Sequence, residues 1–232
     1  MANVDTPDSA QQEKTKLWSF KSTARMHTRG LFAYGGRIAS KNPAFDINFN
    51  YARKQWGFLA FKAVDLVDYT SANNFTLAVF YKNFQIGKHL IITPYLGAFL
   101  EQPHHFAGHG SDVAIITTST LKLTKQFSVE HTAMLGNMVI VPVHRDWVNR
   151  VRILFTHKHW DIVAALWHNN HVFDQSDYLS GGLQLMYSHI KLSDSFNISV
   201  GLTELSMLHS SPEQSLAHDH QVLTTVAIQF IK

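Results

Sequence analysis

The sequence contains no cysteine and comparatively few charged residues. The absence of cysteine excludes a disulfide-stabilised scaffold, a zinc site with thiolate ligands and catalysis by a cysteine nucleophile. Asp, Glu, Lys and Arg make up 16% of the 232 residues, below the ~25% that is usual in soluble domains. The 20 Lys and Arg residues against 17 Asp and Glu give a formal net charge of +3, which does not indicate a nucleic-acid-binding protein.

The chain also lacks a long apolar run. Its longest stretch free of Asp, Glu, Lys and Arg runs from His131 to His144 and contains Pro142. A transmembrane helix needs ~20 mostly apolar residues, so the sequence excludes a helical membrane protein. The first sixteen residues are polar, and we expect residues 1–27 to form a polar N-terminal segment that is partly disordered.

Apolar and polar residues alternate through most of the remaining chain. Residues 45–51 alternate without a fault, 75–81 and 196–202 repeat the pattern, and 222–230 do so more loosely. A period of two is typical of a β-strand with two unlike faces. The sequence therefore predicts about twelve strands, near 28–39, 44–53, 56–66, 74–83, 89–101, 113–124, 127–137, 147–157, 159–168, 179–191, 196–205 and 221–231.

The connections between these strands alternate in length. Those at 53–55, 83–88, 125–126, 157–158 and 192–195 are short, whereas those at 65–73, 102–112, 138–146, 169–178 and 206–220 are longer. In an antiparallel sheet with an even number of strands, this alternation places the long loops at one end and both chain termini at the other. The predicted topology is up-and-down.

Three features favour a barrel in a membrane over a soluble ligand-binding barrel or sandwich. Strands of ten or more residues match the ~9–11 that cross a bilayer at a tilt. The apolar strand faces are nearly free of charge, as in Phe45, Ile47, Phe49 and Tyr51. Aromatic residues fall near strand ends, where interfacial girdles lie: Tyr51, Trp56, Tyr81, Trp147, Trp160, Trp167 and Tyr187.

Residues 28–232 resemble a small, porin-like outer-membrane β-barrel of bacteria, and the ending Phe230-Ile231-Lys232 is similar to the terminal aromatic signal of that family. The resemblance implies an all-β fold, namely a closed antiparallel up-and-down transmembrane β-barrel of about 12 strands. It also implies a location in the bacterial outer membrane and membrane lipids as partners. We expect a narrow channel for small polar or anionic solutes.

With the apolar face outward, the polar face must line the barrel interior. We expect the lumen or its constriction to hold Arg37, Asp46, Lys122, Glu130, Arg150, Arg152 and Asp161, together with Asn48, Asn50, Lys82 and Glu101. Strand pairing predicts that Lys122 lies almost opposite Glu130, that Glu130 lies beside Arg150 and Arg152, and that Arg152 is close to Asp161. Two interpretations stay open: an ion network that fills the lumen, or a charged constriction that selects anions.

Three long loops are rich in histidine and aspartate. Imidazole and carboxylate ligands suit zinc, copper or nickel, but the spacing matches no metal motif, and we predict solvated loops with no cofactor. A weak metal-binding rim is the alternative. The candidate ligands are His104, His105, His109, Asp112, His168, His171, Asp174, Asp177, His209, His218, Asp219 and His220.

No nucleophile elbow, phosphate loop or HExxH motif is present. His109 and Ser111, with Asn137 on the next strand, resemble the His-x-Ser and Asn arrangement of outer-membrane phospholipase. That resemblance implies a lipid hydrolase with Ser111 as nucleophile, His109 as base and Asn137 as orienting residue. The sequence thus predicts a non-enzymatic barrel, with this hydrolase and a surface module whose loops bind a partner as the alternatives.

Overall fold

The computed structural model describes residues 18–30, 32–33, 37–38, 40–68, 74–101, 112–136, 147–172, 176–211 and 220–232. For 32–33, 37–38, 101, 112, 171–172 and 176 it describes the backbone alone. These residues form strands, turns and irregular segments. Within the described ranges, no helix is long and apolar enough to cross a membrane.

The described residues form fifteen strands, and those that build the barrel, apart from the three-residue β7, range from 8 residues in β6 to 16 in β13. Most of them meet the ~9–11 residues that a tilted strand needs to cross a bilayer. Their bounds are β1 Trp18–His27, β2 Phe32–Ala33, β3 Arg37–Ile38, β4 Ala44–Arg53, β5 Trp56–Asp65, β6 Phe75–Lys82, β7 Phe84–Ile86, β8 Leu90–Glu101, β9 Asp112–Lys122, β10 Phe127–Leu135, β11 Trp147–His157, β12 Trp160–Val172, β13 Ser176–Lys191, β14 Phe196–Ser210 and β15 His220–Ile231.

The long strands form one closed antiparallel ring. Each pairs with its neighbour in the chain, β1 pairs with β15, and β6 and β7 both pair with β8. Because β7 follows β6 directly after Asn83 and pairs with the same strand, the two count as one strand, and the ring has twelve strand positions. The predicted all-β, closed, up-and-down barrel is confirmed. Among the described strands, β2 and β3 alone lie outside the ring and form a separate two-stranded sheet.

The two ends of the barrel differ as the alternation of loop lengths predicts. Two-residue turns at 54–55 and 158–159 join β4 to β5 and β11 to β12, and Lys54 (φ 54°) and Lys158 (φ 53°) adopt the left-handed conformation that such turns need. One prediction for the other end is wrong. The loop expected at 169–178 is mostly strand, because β12 continues to Val172 and β13 begins at Ser176.

The first barrel strand is β1, and the prediction that the barrel begins with a strand at 28–39 is wrong. The outward face of β1 carries the apolar residues Trp18, Phe20 and Met26. The small residues between Phe20 and Met26 weaken the alternation of apolar and polar residues in the sequence. Phe20 packs against Phe49 and Phe230, with ring centroids 6.4 Å and 6.1 Å away. The barrel therefore begins within the segment that we expected to be polar and partly disordered, while the described residues of 28–39 include two short strands, β2 and β3, that pair with each other outside the ring.

Exposure along the strands identifies the outer face. On β15, Val222 and Val226 are 48% and 44% exposed, whereas Leu223 and Thr225 are 2% exposed. On β4, Phe49 is 41% exposed and Asp46 is fully buried. A soluble barrel keeps its polar face in water, so exposed apolar side chains over buried charges indicate an exterior suited to lipid. The predicted orientation of the two faces is thus the one found.

Aromatic side chains cluster at the end with short turns. Trp18 stacks on Tyr51 at 6.4 Å between centroids, and Trp160 meets Tyr187 edge-on at 5.0 Å. Such a girdle is typical of the membrane interface. Lys82, which we expected inside, lies on the outer face with its Nζ 4.9 Å from the centre of the Trp56 ring.

Two aromatics predicted for the girdle lie on the inner face instead. The Tyr81 hydroxyl donates to Asn50 Oδ1 at 2.8 Å. Trp167 pairs with Arg150 across the β11–β12 ladder and lines an interior cavity. Position near a strand end identifies a girdle residue only when the parity of the residue also points it outward.

Candidate functional site

The barrel interior carries a cluster of charges around Glu130, which we call the Glu130 cluster. The β10–β11 register sets Glu130 opposite Arg152 and Thr132 opposite Arg150. Arg152 Nε donates to Glu130 Oε1 at 2.8 Å, and Arg150 Nη2 donates to the same oxygen at 3.1 Å. One buried carboxylate is therefore shared by two guanidinium groups, which satisfies its charge and leaves one positive charge in excess.

Threonine side chains extend the Glu130 cluster toward β9. Arg150 Nη2 also donates to Thr132 Oγ1 at 3.1 Å, and Thr132 Oγ1 lies 3.0 Å from Thr118 Oγ1. Arg150 Nε is buried and has no hydrogen-bond partner among the described residues. The protein thus holds Arg150 in place without using all five N–H donors of its guanidinium.

A second cluster, the Asp46 cluster, occupies the opposite wall. Arg25 Nη2 lies 2.8 Å from Asp46 Oδ1, and His27 Nε2 lies 2.7 Å from Asp46 Oδ2. His27 Nδ1 is 2.8 Å from Thr225 Oγ1. Four barrel strands separate the β1–β4 pair from the β10–β11 pair in each direction around the ring, so the two clusters face each other across the lumen.

Both clusters line one cavity of about 320 Å³, the charged chamber, which contains Arg25, His27, Arg150 and Arg152 on its walls. Taking the two clusters together, three guanidinium groups against two carboxylates give a net charge of +1 before His27 is counted. In the low-dielectric interior of a narrow barrel, one excess charge has a large effect on which ions enter.

A second cavity of about 440 Å³, the apolar chamber, adjoins the charged one and shares Phe61, Phe75, Arg150 and Trp167 with it. Its wall is apolar or aromatic except at Thr118, Thr132, Arg150 and the hydroxyl group of Tyr95. The apolar side chains come mainly from the inward faces of β5, β6, β8 and β9. The interior therefore combines a cationic wall with an apolar one.

The structure brings together some of the residues predicted for the lumen and separates others. Glu130, Arg150 and Arg152 meet as expected, and Asp46 faces inward in its own cluster. Lys122 does not lie opposite Glu130. The hairpin is centred on Lys125 instead of between Lys125 and Gln126, so Lys122 pairs with Ser128 and lies exposed at the barrel end.

Asp161 is also not beside Arg152, which pairs with Ala165. Asp161 instead pairs with Thr156, whose hydroxyl donates to Asp161 Oδ1 at 2.8 Å, near the two-residue turn. A displacement of four residues along a strand is ~13 Å, too far for contact. Arg37 belongs to β3, outside the ring, where the structure describes the backbone alone.

The sequence-based prediction missed Arg25, His27 and the apolar chamber. The first two were missed because residues 18–27 were not predicted to be a strand. A signal for the chamber was present: in residues 57–61, Gly-Phe-Leu-Ala-Phe, both faces of β5 are apolar. A barrel strand that is apolar on both faces indicates an apolar interior wall.

The histidine candidates divide between described and undescribed residues. On the outer face, His168 Nε2 lies 2.9 Å from Asp177 Oδ1, and His220 Nδ1 lies 2.9 Å from Ser206 Oγ and 3.5 Å from Glu204 Oε1. Among the residues that the structure describes, no three His, Asp or Glu side chains are grouped to hold a metal. His104, His105, His109, Ser111, Asn137 and His218 lie outside the described residues, and for Asp112 and His171 the backbone alone is described.

Solved structures share this architecture. The KdgM porin superposes with a TM-score of 0.58 at 11% sequence identity, over 91% of this chain and 98% of that chain. The NanC porin superposes with a TM-score of 0.56 at 8% identity, over 92% and 98%.

The chain has the fold of the KdgM and NanC porins. A structure of the KdgM porin in complex with disordered oligogalacturonate matches as well, with a TM-score of 0.57 and 10% identity over 91% of this chain and 98% of that one. No protein-family model matches the sequence, and no curated protein matches it. At these identities the likeness establishes the fold.

Proposed function

We propose that the protein is a narrow outer-membrane channel for small anionic solutes. The observation that carries the proposal is the sharing of one interior carboxylate, Glu130, by Arg150 and Arg152. With the Asp46 cluster opposite, the chamber between the two walls has an excess of cationic groups. Fixed positive charge in a narrow lumen raises the local concentration of anions.

The location in the outer membrane is supported by the exterior of the barrel. Exposed apolar side chains cover the strands, and an aromatic girdle rings the short-turn end. Such a surface requires a hydrocarbon environment. The small volumes of the interior cavities support a channel for small solutes.

The KdgM porin supports the choice of solute charge. Its complex contains oligogalacturonate, which is a chain of sugar carboxylates. A barrel of the same fold is therefore known in complex with a carboxylate-bearing molecule. In the present chain the Glu130 cluster supplies guanidinium groups, which bind carboxylates through paired N–H donors.

Replacing Arg150 and Arg152 with Gln tests the proposal. Loss of both cations leaves Glu130 as the charge on that wall, so the double variant should lose anion preference or become cation-preferring. The measurement is the zero-current potential of reconstituted channels across a KCl gradient. Lys125→Gln/Lys158→Gln removes two charges from exposed turns and should keep the wild-type potential.

Two outcomes would contradict the proposal. If wild-type protein conducts and the potential of Arg150→Gln/Arg152→Gln does not change, these arginines do not control ion choice. If folded wild-type protein never conducts, the ion network fills the lumen as a structural element. In that case the double variant should show only a loss of stability.

A further inference from the structure

We propose that the channel prefers amphipathic monocarboxylates, with an aromatic or medium-chain aliphatic tail, over polyhydroxylated anions of the same charge. The inference rests on the proposed anion channel and names the class of solute that its interior fits. It is carried by the position of Arg150 on the wall shared by the charged and apolar chambers.

The apolar chamber determines what kind of tail can enter. Phe61, Phe75, Leu77, Phe99, Ile116 and Trp167 are on its wall. Such a surface offers almost no hydrogen bonds, so a sugar hydroxyl that enters loses its contacts with water and gains no replacement. An alkyl or phenyl group instead gains from leaving water.

The volume of the apolar chamber suits a small organic anion. At about 440 Å³ it falls within the ~300–1,000 Å³ that is usual for small-molecule sites. Apolar walls with a few placed polar groups are the usual composition of such sites. Here the polar groups are the Tyr95 hydroxyl, Thr118, Thr132 and Arg150.

The head group of the solute is recognised at the border between the chambers. Arg150 Nη2 holds Glu130 and Thr132, while Arg150 Nε has no partner among the described side chains. Arg152 stands two residues along the same inward face. A carboxylate at these guanidinium groups would leave its tail beside Phe61, Phe75 and Trp167, which line both chambers.

The test compares hexanoate with gluconate, two six-carbon monocarboxylates of equal charge, as blockers of the chloride current through wild-type channels in planar bilayers. Hexanoate should block more strongly. Across butyrate, hexanoate and octanoate, each buried methylene should strengthen the block by about three- to fourfold. Gluconate should behave like butyrate or more weakly.

Variants of the apolar chamber sharpen the comparison. Leu77→Thr/Ile116→Thr makes its wall more polar. In this variant the gain in blocking strength from butyrate to octanoate should be about tenfold smaller than in wild type. Ile115→Thr is the matched control, because Ile115 neighbours Ile116 on β9 but faces outward and is 46% exposed. That control should keep the wild-type series.

A direct binding measurement separates this inference from the channel proposal. Quenching of tryptophan fluorescence by 4-bromobenzoate in detergent should saturate and should be lost in Trp167→Phe, since Trp167 lines the apolar chamber.

If chloride current is present but hexanoate and gluconate block equally, the solute class is wrong and the channel stands. If no current is present but saturable quenching persists, the channel proposal fails and the amphipathic site stands. If hexanoate and gluconate block equally and quenching by 4-bromobenzoate does not saturate, the inference is overturned.

Discussion

At the scale of single residues, the interior is defined by charges that share partners. Glu130 accepts from both Arg150 and Arg152, and Asp46 is held between Arg25 and His27. Burying a charge without partners is expensive, whereas a shared carboxylate satisfies several donors at once. The same arrangement therefore stabilises the barrel and gives the charged chamber three guanidinium groups against two carboxylates.

Glu130→Gln should affect stability and ion selection in different directions. The variant leaves Arg150 and Arg152 without their carboxylate, so we expect a loss of about 1–3 kcal/mol in the free energy of unfolding in detergent. Because one negative charge disappears from the lumen, anion preference should rise. Urea titration and the zero-current potential measure the two effects. A fall in anion preference would contradict the assignment of Glu130 to the lumen.

At the scale of strands, two inward residues show how tightly neighbouring elements fit. The Tyr81 ring lies over Gly57, where a Cβ would collide with ring atoms. In Gly57→Ala the ring must turn away and lose its bond to Asn50. We expect a loss of about 1–3 kcal/mol in unfolding free energy.

Gly97→Ala is the control for that change. A Cβ at Gly97 would meet Leu77 and Val79 at 3.5 Å and 3.6 Å, which are ordinary contacts. This variant should unfold within about 0.5 kcal/mol of wild type. If both glycine variants were equally stable, the packing of Tyr81 over Gly57 would be disproved.

The orientation of β4 gives a prediction about its two faces. Phe49 is exposed on the outer face near the middle of the strand, and Asn48 faces inward. Phe49→Arg places a cation in hydrocarbon and should cost ~2–4 kcal/mol, whereas Asn48→Arg enters a polar interior and should cost less. The folded fraction is measured at increasing urea concentrations from heat-modifiable migration on a gel. Equal costs, or the reverse order, would show that the faces are inverted.

The strands differ in how far the sequence could predict them. β4 was predicted to within a residue, because Phe45, Ile47 and Phe49 alternate with Asp46 and Asn48. β1 was missed because Ser22 and Ala24 occupy outward positions without a strong apolar signal. The contact between Glu130 and Arg152 was predictable from two adjacent strands, but Lys122 and Asp161 were misplaced because the register of a hairpin depends on turn geometry.

At the scale of the whole molecule, different walls of the barrel interior carry side chains of different chemistry. One wall, from β5 to β9, contributes apolar side chains to the interior, and the walls at β1–β4 and β10–β11 contribute the charges. This division could not be predicted from composition, because it requires the order of strands around a closed ring. It determines both the proposed anion preference and the proposed preference for apolar tails.

An anion-preferring channel is tested most directly by single-channel recording of wild-type protein in planar bilayers across a KCl gradient. We expect discrete current steps of small size and a zero-current potential whose sign indicates preference for chloride over potassium. Folded protein that inserts without current steps would contradict a conducting lumen. A potential of the opposite sign would contradict the excess of guanidinium groups as its selective feature.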